Sequence, residues 1–156
     1  EILKAAYNHK GASVCEIMQD CVIFNHGTHD NIYDKASRAK NTIYVKHGQP
    51  LVFGANNEYG LAQEGFGLKV VEIGKDGITM DDILVHDAKC EDNTLQLKLA
   101  LMGDGDGFPV ALGVIRDVDA PTYNQCLDGV IENETAKSSI KCVDDLLNSG
   151  STWDIE

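Results

Sequence analysis

The sequence predicts an α/β protein: the last helix–strand unit of a doubly wound sheet over residues 1–30, then a small mixed α+β extension over residues 31–156. A helical apolar pattern opens the chain and an alternating, strand-like pattern follows it directly. Short strands and helices then succeed one another without internal repeats. At 156 residues with 43% hydrophobic content, the chain can bury one sizeable core.

The opening unit delivers a cysteine to a loop. Ile2, Leu3, Ala6 and Tyr7 predict a helix over residues 1–9, and the alternation over residues 12–19 predicts a buried strand that ends at Asp20. Cys15 would face the core, and Cys21 would lie at the carboxyl end of the strand. Because ligands bind outside the carboxyl ends of strands in open α/β sheets, Cys21 is a candidate cofactor ligand. The alternative is a free thiol that packs as a small hydrophobe.

Further elements follow from local patterns. A polar loop that closes with one or two helical turns is expected over residues 25–40, and a strand over residues 68–73. A hairpin is predicted from residues 41–46 and 51–53. Residues 108–115 predict a buried strand. Helices are predicted from Asp92 or Asn93 to Met102, from Pro121 to Thr135, and from Lys137 or Ser138 to Asn148.

Composition excludes several classes of function. The formal charge of −12, with 25 acidic against 13 basic residues, argues against sequence-independent binding of nucleic acid. No segment approaches the ~18 consecutive apolar residues of a membrane span, and the N-terminus lacks a signal-peptide pattern. Five cysteines cannot form a complete disulfide framework. We therefore expect a cytoplasmic protein with reduced thiols and no membrane partner.

Other polar clusters are interpreted as structural. His26, His29 and Asp30 suggest a metal site, but their loop spacing favours solvent-exposed histidines. The acidic run 103–107 mimics the Gly-Asp-Gly of thiamine enzymes but leads straight into Phe108-Pro109, so a flexible turn is expected. Turn or structural roles are predicted for His86-Asp87, Cys90, Cys126 and Cys142.

Five ordered blocks carry a resemblance to a known family. The sequence is similar to the β subunits of the 2-oxoacid:ferredoxin oxidoreductases, most of all the 2-oxoglutarate-specific members. The first block, His9-Lys-Gly-x-Ser-x-x-Glu-Ile-x-Gln-x-Cys-x-x-Phe-Asn25, contains Cys21. The others are Lys46–Gly54, Asp81–Asp87, Phe108–Arg116, and Pro121–Tyr123 with Leu146–Trp153.

The resemblance implies cofactors. In this family a 4Fe-4S cluster is held by four β-subunit thiolates, of which Cys21 matches the fourth, C-terminal one. The three other ligands, thiamine diphosphate and Mg²⁺ would lie upstream, so residues 1–30 would end a thiamine-diphosphate-binding domain and residues 31–156 would form its C-terminal extension. Since Glu1 opens a helix without a methionine or cap, we interpret the chain as a C-terminal fragment that binds no cofactor and is inactive alone.

The resemblance also implies an activity: oxidative decarboxylation of 2-oxoglutarate to a coenzyme A thioester, with electrons passed to ferredoxin. An α subunit of the same enzyme would be a partner. Pyruvate or another 2-oxoacid is an alternative substrate. A second hypothesis is that the portion from about residue 31 onward is a non-catalytic module that seals a subunit interface, because it contains no concentrated catalytic or metal-binding cluster.

Overall fold

The computed structural model describes residues 1–103, 106–153 and 155. It shows a mixed α/β fold with parallel and antiparallel strands, which confirms the predicted fold class. The chain divides into two compact units: Glu1–His9 with Ser13–Asp119, and Lys10–Ala12 with Ala120–Glu156. The proposed domain boundary at residues 30 and 31 stays a prediction.

The described part of the first unit contains four α-helices and a short 3-10 helix, Met80–Asp82. Helix α1 covers Ile2–Asn8, as predicted, and α2 (Asp30–Tyr33) and α3 (Lys35–Asn41) are the expected turns after the polar loop. The Asp34 side chain accepts from the Ser37 backbone N–H and caps α3. Helix α4, Thr94–Leu101, begins after Asn93 as predicted.

Among the described residues of this unit, five strands form two small sheets. Strand β1 (Thr42–Val45) pairs in parallel with β5 (Val110–Gly113), so that Val45 lies opposite Gly113. Strands β2 (Val52–Phe53), β3 (Tyr59–Glu64) and β4 (Gly67–Glu72) form an antiparallel sheet in the order β2-β3-β4. Sequence reasoning missed β3, in which Gly60, together with Gly65 just after the strand, obscures the alternation.

The predicted hairpin of β1 with β2 is wrong. The turn after β1 instead brings the next residues against the segment around Val85: Pro50 and Val85 form an isolated bridge, and the Leu51 N–H donates to the Leu84 carbonyl at 2.8 Å. Strand β1 is buried at three of its four positions. That burial suits a parallel strand covered on both faces, and local alternation does not specify which strand is its partner.

The predicted strand over residues 12–19 is also absent. No regular structure forms there, and Val14 and Ile17 are 98% and 71% exposed. Cys15, predicted to lie in the core, is exposed. A strand requires a neighbour for its backbone N–H and C=O groups, and no other described segment pairs with this one.

One hydrophobic core holds the first unit together. It joins β1 to the antiparallel sheet and to α4. Its buried members are Ile43, Val45, Leu51, Phe53, Leu61, Ala62, Val71, Ile83 and Leu99. Gly60 permits this packing, because a Cβ there would lie 2.5 Å from Ile83 Cδ1.

The second unit contains helices α5 and α6. Helix α5 covers Tyr123–Lys137, begins at a Thr122–Gln125 capping box and runs two residues beyond its predicted end. Helix α6 covers only Val143–Leu147. No described residue of Ala120–Trp153 is buried, and Ile155 is exposed too. Across both units, no described helix is long and apolar enough to span a membrane.

We predict that Leu61→Ala lowers the free energy of unfolding by about 2–5 kcal/mol, because it leaves a cavity in the core. Leu101→Ala is the matched control: Leu101 is 70% exposed, whereas Leu61 is 0% exposed. Urea unfolding followed by circular dichroism would measure both. Equal stabilities for the two variants would contradict the assignment of the core.

Candidate functional site

The sequence-predicted site residue, Cys21, lies in a tight loop of the first unit. Cys21 and Asn25 form an isolated antiparallel bridge, and the Asn25 N–H donates to the Cys21 carbonyl at 2.9 Å. Three turn residues separate them. The thiol is exposed, although it does not follow a strand as the sequence predicted.

Backbone amides of this loop favour the thiolate. The Phe24 N–H, followed by those of Ile23 and Asn25, lowers the pKa of Cys21 below its ordinary value of 9.0. Desolvation of the thiolate and the negative charge of Asp20 oppose this shift. The amide donors prevail because each stabilises the charged sulfur and not the neutral thiol.

Asp20 closes the loop at its base. Its carboxylate accepts from the Gly27 N–H at 3.0 Å (Oδ1) and 3.2 Å (Oδ2), and His26 Nδ1 lies 2.9 Å from its Oδ2. The Gly27 amide is the main reason that the pKa of Asp20 is lowered. Gly27 has a φ of +82°, a left-handed conformation that favours glycine. Sequence analysis had not assigned this closing role to Asp20.

A second anchor holds the chain just before the loop. The Tyr33 hydroxyl donates to the Met18 carbonyl at 2.8 Å, and the Thr28 hydroxyl donates to the Asn25 carbonyl at 2.8 Å. Tyr33 belongs to α2, whose Ile32 is buried. The loop that carries Cys21 is therefore tied to the helical turns that follow it.

The tip of the loop is apolar and exposed. Val22, Ile23 and Phe24 are 73%, 80% and 89% exposed. Exposed contiguous apolar residues are typical of surfaces that contact another molecule or segment. Cys21 therefore lies beside a surface with the composition of an interface.

The histidines near this loop do not form a metal site. His26 contacts Asp20, and the His29 ring packs edge-on against Tyr33 with centroids 6.2 Å apart. Among residues 1–103, 106–153 and 155, no group of three or more His, Cys, Asp or Glu side chains could hold a metal ion. Cys21 is accordingly a single potential ligand.

His86 is a core residue. Its side chain is fully buried, and its Nε2 lies 3.0 Å from the Val114 carbonyl. Asp87 instead lies beside His47, with 3.2 Å between Asp87 Oδ1 and His47 Nδ1. His86 and Asp87 therefore form no dyad.

At the acidic run 103–107, Asp104 and Gly105 fall outside the described residues, so the expected turn stays a prediction.

A cavity of about 260 Å³ lies away from the Cys21 loop, beside the exposed Cys90. Apolar side chains of Leu68, Leu84 and Leu95 line part of it. Buried Gln96 supports the neighbouring turn, because its Nε2 donates to the carbonyls of Asp87 at 2.9 Å and of Cys90 at 3.2 Å. The remaining cysteines, Cys126 in α5 and Cys142 before α6, are exposed.

The chemistry of Cys21 fits one ligand of an iron–sulfur cluster. Such clusters bind thiolates, and N–H donors to the ligand sulfur tune their reduction potential. An exposed sulfur with three nearby amides meets both conditions. A cluster with four cysteine ligands requires three more thiolates, and no other cysteine among the described residues joins Cys21.

Comparison with known proteins bears on the predicted resemblance. Over 158 aligned residues the chain is 36% identical to the 2-oxoglutarate oxidoreductase subunit KorB of Mycobacterium tuberculosis strain H37Rv. The predicted resemblance to a 2-oxoacid oxidoreductase subunit is confirmed. The alignment covers 100% of this chain, and the chain spans 42% of the length of KorB. No protein-family model and no solved structure matches the chain.

We predict that iodoacetamide modifies Cys21 several-fold faster than Cys15 at pH 7, because the loop amides stabilise the reactive thiolate. Since the pKa of Cys21 is lowered, the rate at this residue should reach half its maximum below pH 9.0. Mass spectrometry of the modified peptides would measure both rates. Cys15 is the matched control, since it is also exposed and lies nearby in the sequence. Equal rates at the two cysteines would contradict a role for the loop amides.

Proposed function

We propose that this chain is part of the β subunit of a 2-oxoacid:ferredoxin oxidoreductase, and that Cys21 supplies one thiolate to its 4Fe-4S cluster. The observation that carries the proposal is the set of three backbone amides that favour a thiolate at Cys21. The 36% identity to KorB over the whole chain supports the family part of the proposal.

Within this function, the chain's own residues would hold and tune the cluster. Cys21 would bind one iron through its sulfur, and the Ile23, Phe24 and Asn25 amides would stabilise the negative charge on that sulfur. Asp20 would keep the loop closed through Gly27. When bound, the cluster supplies one-electron transfer.

The substrates and partners of the complete enzyme are part of the same proposal. The name of KorB supports 2-oxoglutarate as the substrate, with pyruvate or another 2-oxoacid as the alternative. Coenzyme A, thiamine diphosphate with Mg²⁺, ferredoxin and an α subunit would complete the reaction in the cytoplasm. We also propose that residues 1–30 end the thiamine-binding domain, and that the chain alone is inactive.

A second candidate function applies to residues 31–156, as a module that seals a subunit interface. One observation favours it: both helices of the second unit are free of buried residues. This function is compatible with cluster binding at Cys21, because the two use different segments.

We predict that Cys21→Ala in the complete subunit removes the signal of the reduced 4Fe-4S cluster and lowers its iron content from about four per protein, because one of the four thiolates is lost. Electron paramagnetic resonance and iron analysis would measure these changes. Cys15→Ala is the control and should leave both unchanged. An intact cluster in Cys21→Ala would refute the ligand assignment.

We predict that Asp20→Asn raises the midpoint potential of the cluster, because the removal of a nearby negative charge favours the more negative reduced state. Asparagine retains a side-chain oxygen that can accept from the Gly27 N–H, so the loop should stay closed. A redox titration followed by paramagnetic resonance would measure the potential. Glu16→Gln makes the same change in charge farther along the chain and should have a smaller effect. An unchanged midpoint in Asp20→Asn would contradict this role.

A further inference from the structure

Helix α5 presents an uncovered apolar stripe. Tyr123, Leu127, Val130 and Ile131 follow the spacing i, i+4, i+7 and i+8, which places them on one side of a helix. Their exposed fractions are 78%, 43%, 58% and 54%. Asp128, Glu132 and Ala136 occupy the opposite side by the same geometry.

The residues after α5 also include exposed apolar side chains. In α6, Val143, Leu146 and Leu147 are 70%, 58% and 70% exposed, and Trp153 beyond it is 83% exposed. We call residues 120–156 the C-terminal arm. Among residues 120–153 and 155, which the structure describes, no side chain is buried, so this part of the arm forms no core of its own. Helices of this length are marginal in water unless an apolar face packs against something.

The net charge of the arm indicates the kind of surface that covers it. Its sequence contains seven acidic residues against two lysines, a net charge of −5. One of those lysines, Lys137, is paired within α5, with its Nζ 2.7 Å from Glu134 Oε1. The arm of a second copy would carry the same negative charge and would repel this arm. An anionic lipid surface would repel it for the same reason. The complementary surface is an apolar groove rimmed by Lys and Arg side chains.

We propose that the C-terminal arm docks by the apolar stripe of α5 into a basic-rimmed groove on a partner subunit of the same enzyme. This inference rests on the proposed function, since it takes the partner to be the other subunit of the oxidoreductase. Apolar burial supplies the affinity, and the acidic residues fix the partner and orientation. The arm then acts as an assembly element separate from the Cys21 loop.

The test uses the complete subunit and its co-expressed partner subunit. Val130→Glu places a charge in the stripe and is expected to weaken binding at least about thirtyfold, the effect of losing a central interface contact. Ala136→Glu adds the same charge on the opposite side of α5 and should change affinity by less than about threefold, as rim positions do. Analytical ultracentrifugation would measure both affinities, and wild-type affinity should fall as salt rises.

Val130→Ala separates docking from helix stability. Alanine favours a helix more than valine, so a weaker complex with this variant reflects lost apolar contact. The inference is overturned if Val130→Glu binds the partner as tightly as wild type, or if wild type does not bind the partner at all. It is also overturned if wild type self-associates and Val130→Glu abolishes that self-association. Protection of the α5 amides from hydrogen exchange in the subunit without its partner would overturn it too. The cluster signal of wild type reports separately on the proposed function. If wild type shows no cluster signal but binds its partner, the proposed cluster is refuted and the proposed docking of the arm stays supported.

Discussion

The candidate site depends on the backbone N–H groups of the Cys21 loop, because those of Phe24, Ile23 and Asn25 lower the pKa of Cys21. The chain as a whole is strongly acidic, and Asp20 directly precedes the cysteine, so the electrostatic environment opposes a thiolate. Cys21 and Asn25 pair as an isolated bridge, and the turn between them carries the Ile23 and Phe24 amides that favour the thiolate. Stabilisation of the anion therefore comes from local backbone geometry and not from basic side chains.

The same loop couples the site to the rest of the first unit. The Asp20 carboxylate fixes the loop base through Gly27, and Tyr33 holds the preceding residues through the Met18 carbonyl. Tyr33 in turn belongs to a helical turn with buried Ile32. The position of the sulfur is thus determined by the Asp20 side chain, which precedes it, and by the Tyr33 side chain, which follows it. Rigid positioning of this kind is what a metal ligand requires.

Apolar side chains are divided between a buried core and exposed surfaces. Nine residues of the first unit form one cluster, whereas Val22, Ile23 and Phe24 at the loop tip and the stripe of α5 remain exposed. This distribution is typical of a chain that completes its burial against other surfaces. It agrees with the relationship to KorB, which is by name a subunit, and of which this chain spans 42%.

The sequence by itself determined the elements with strong local signals: α1, the capped α4, β4 and the start of α5 were predictable because periodicity and capping are local. It also indicated Cys21 as a candidate ligand, and an ordered set of motifs predicted the resemblance to the family. Only the tertiary structure decided that β1 pairs with β5 and that residues 12–19 form no strand, since strand pairing depends on distant residues. The closing role of Asp20 and the amides around Cys21 were likewise decided by folding, because they depend on backbone directions that residue identities do not specify.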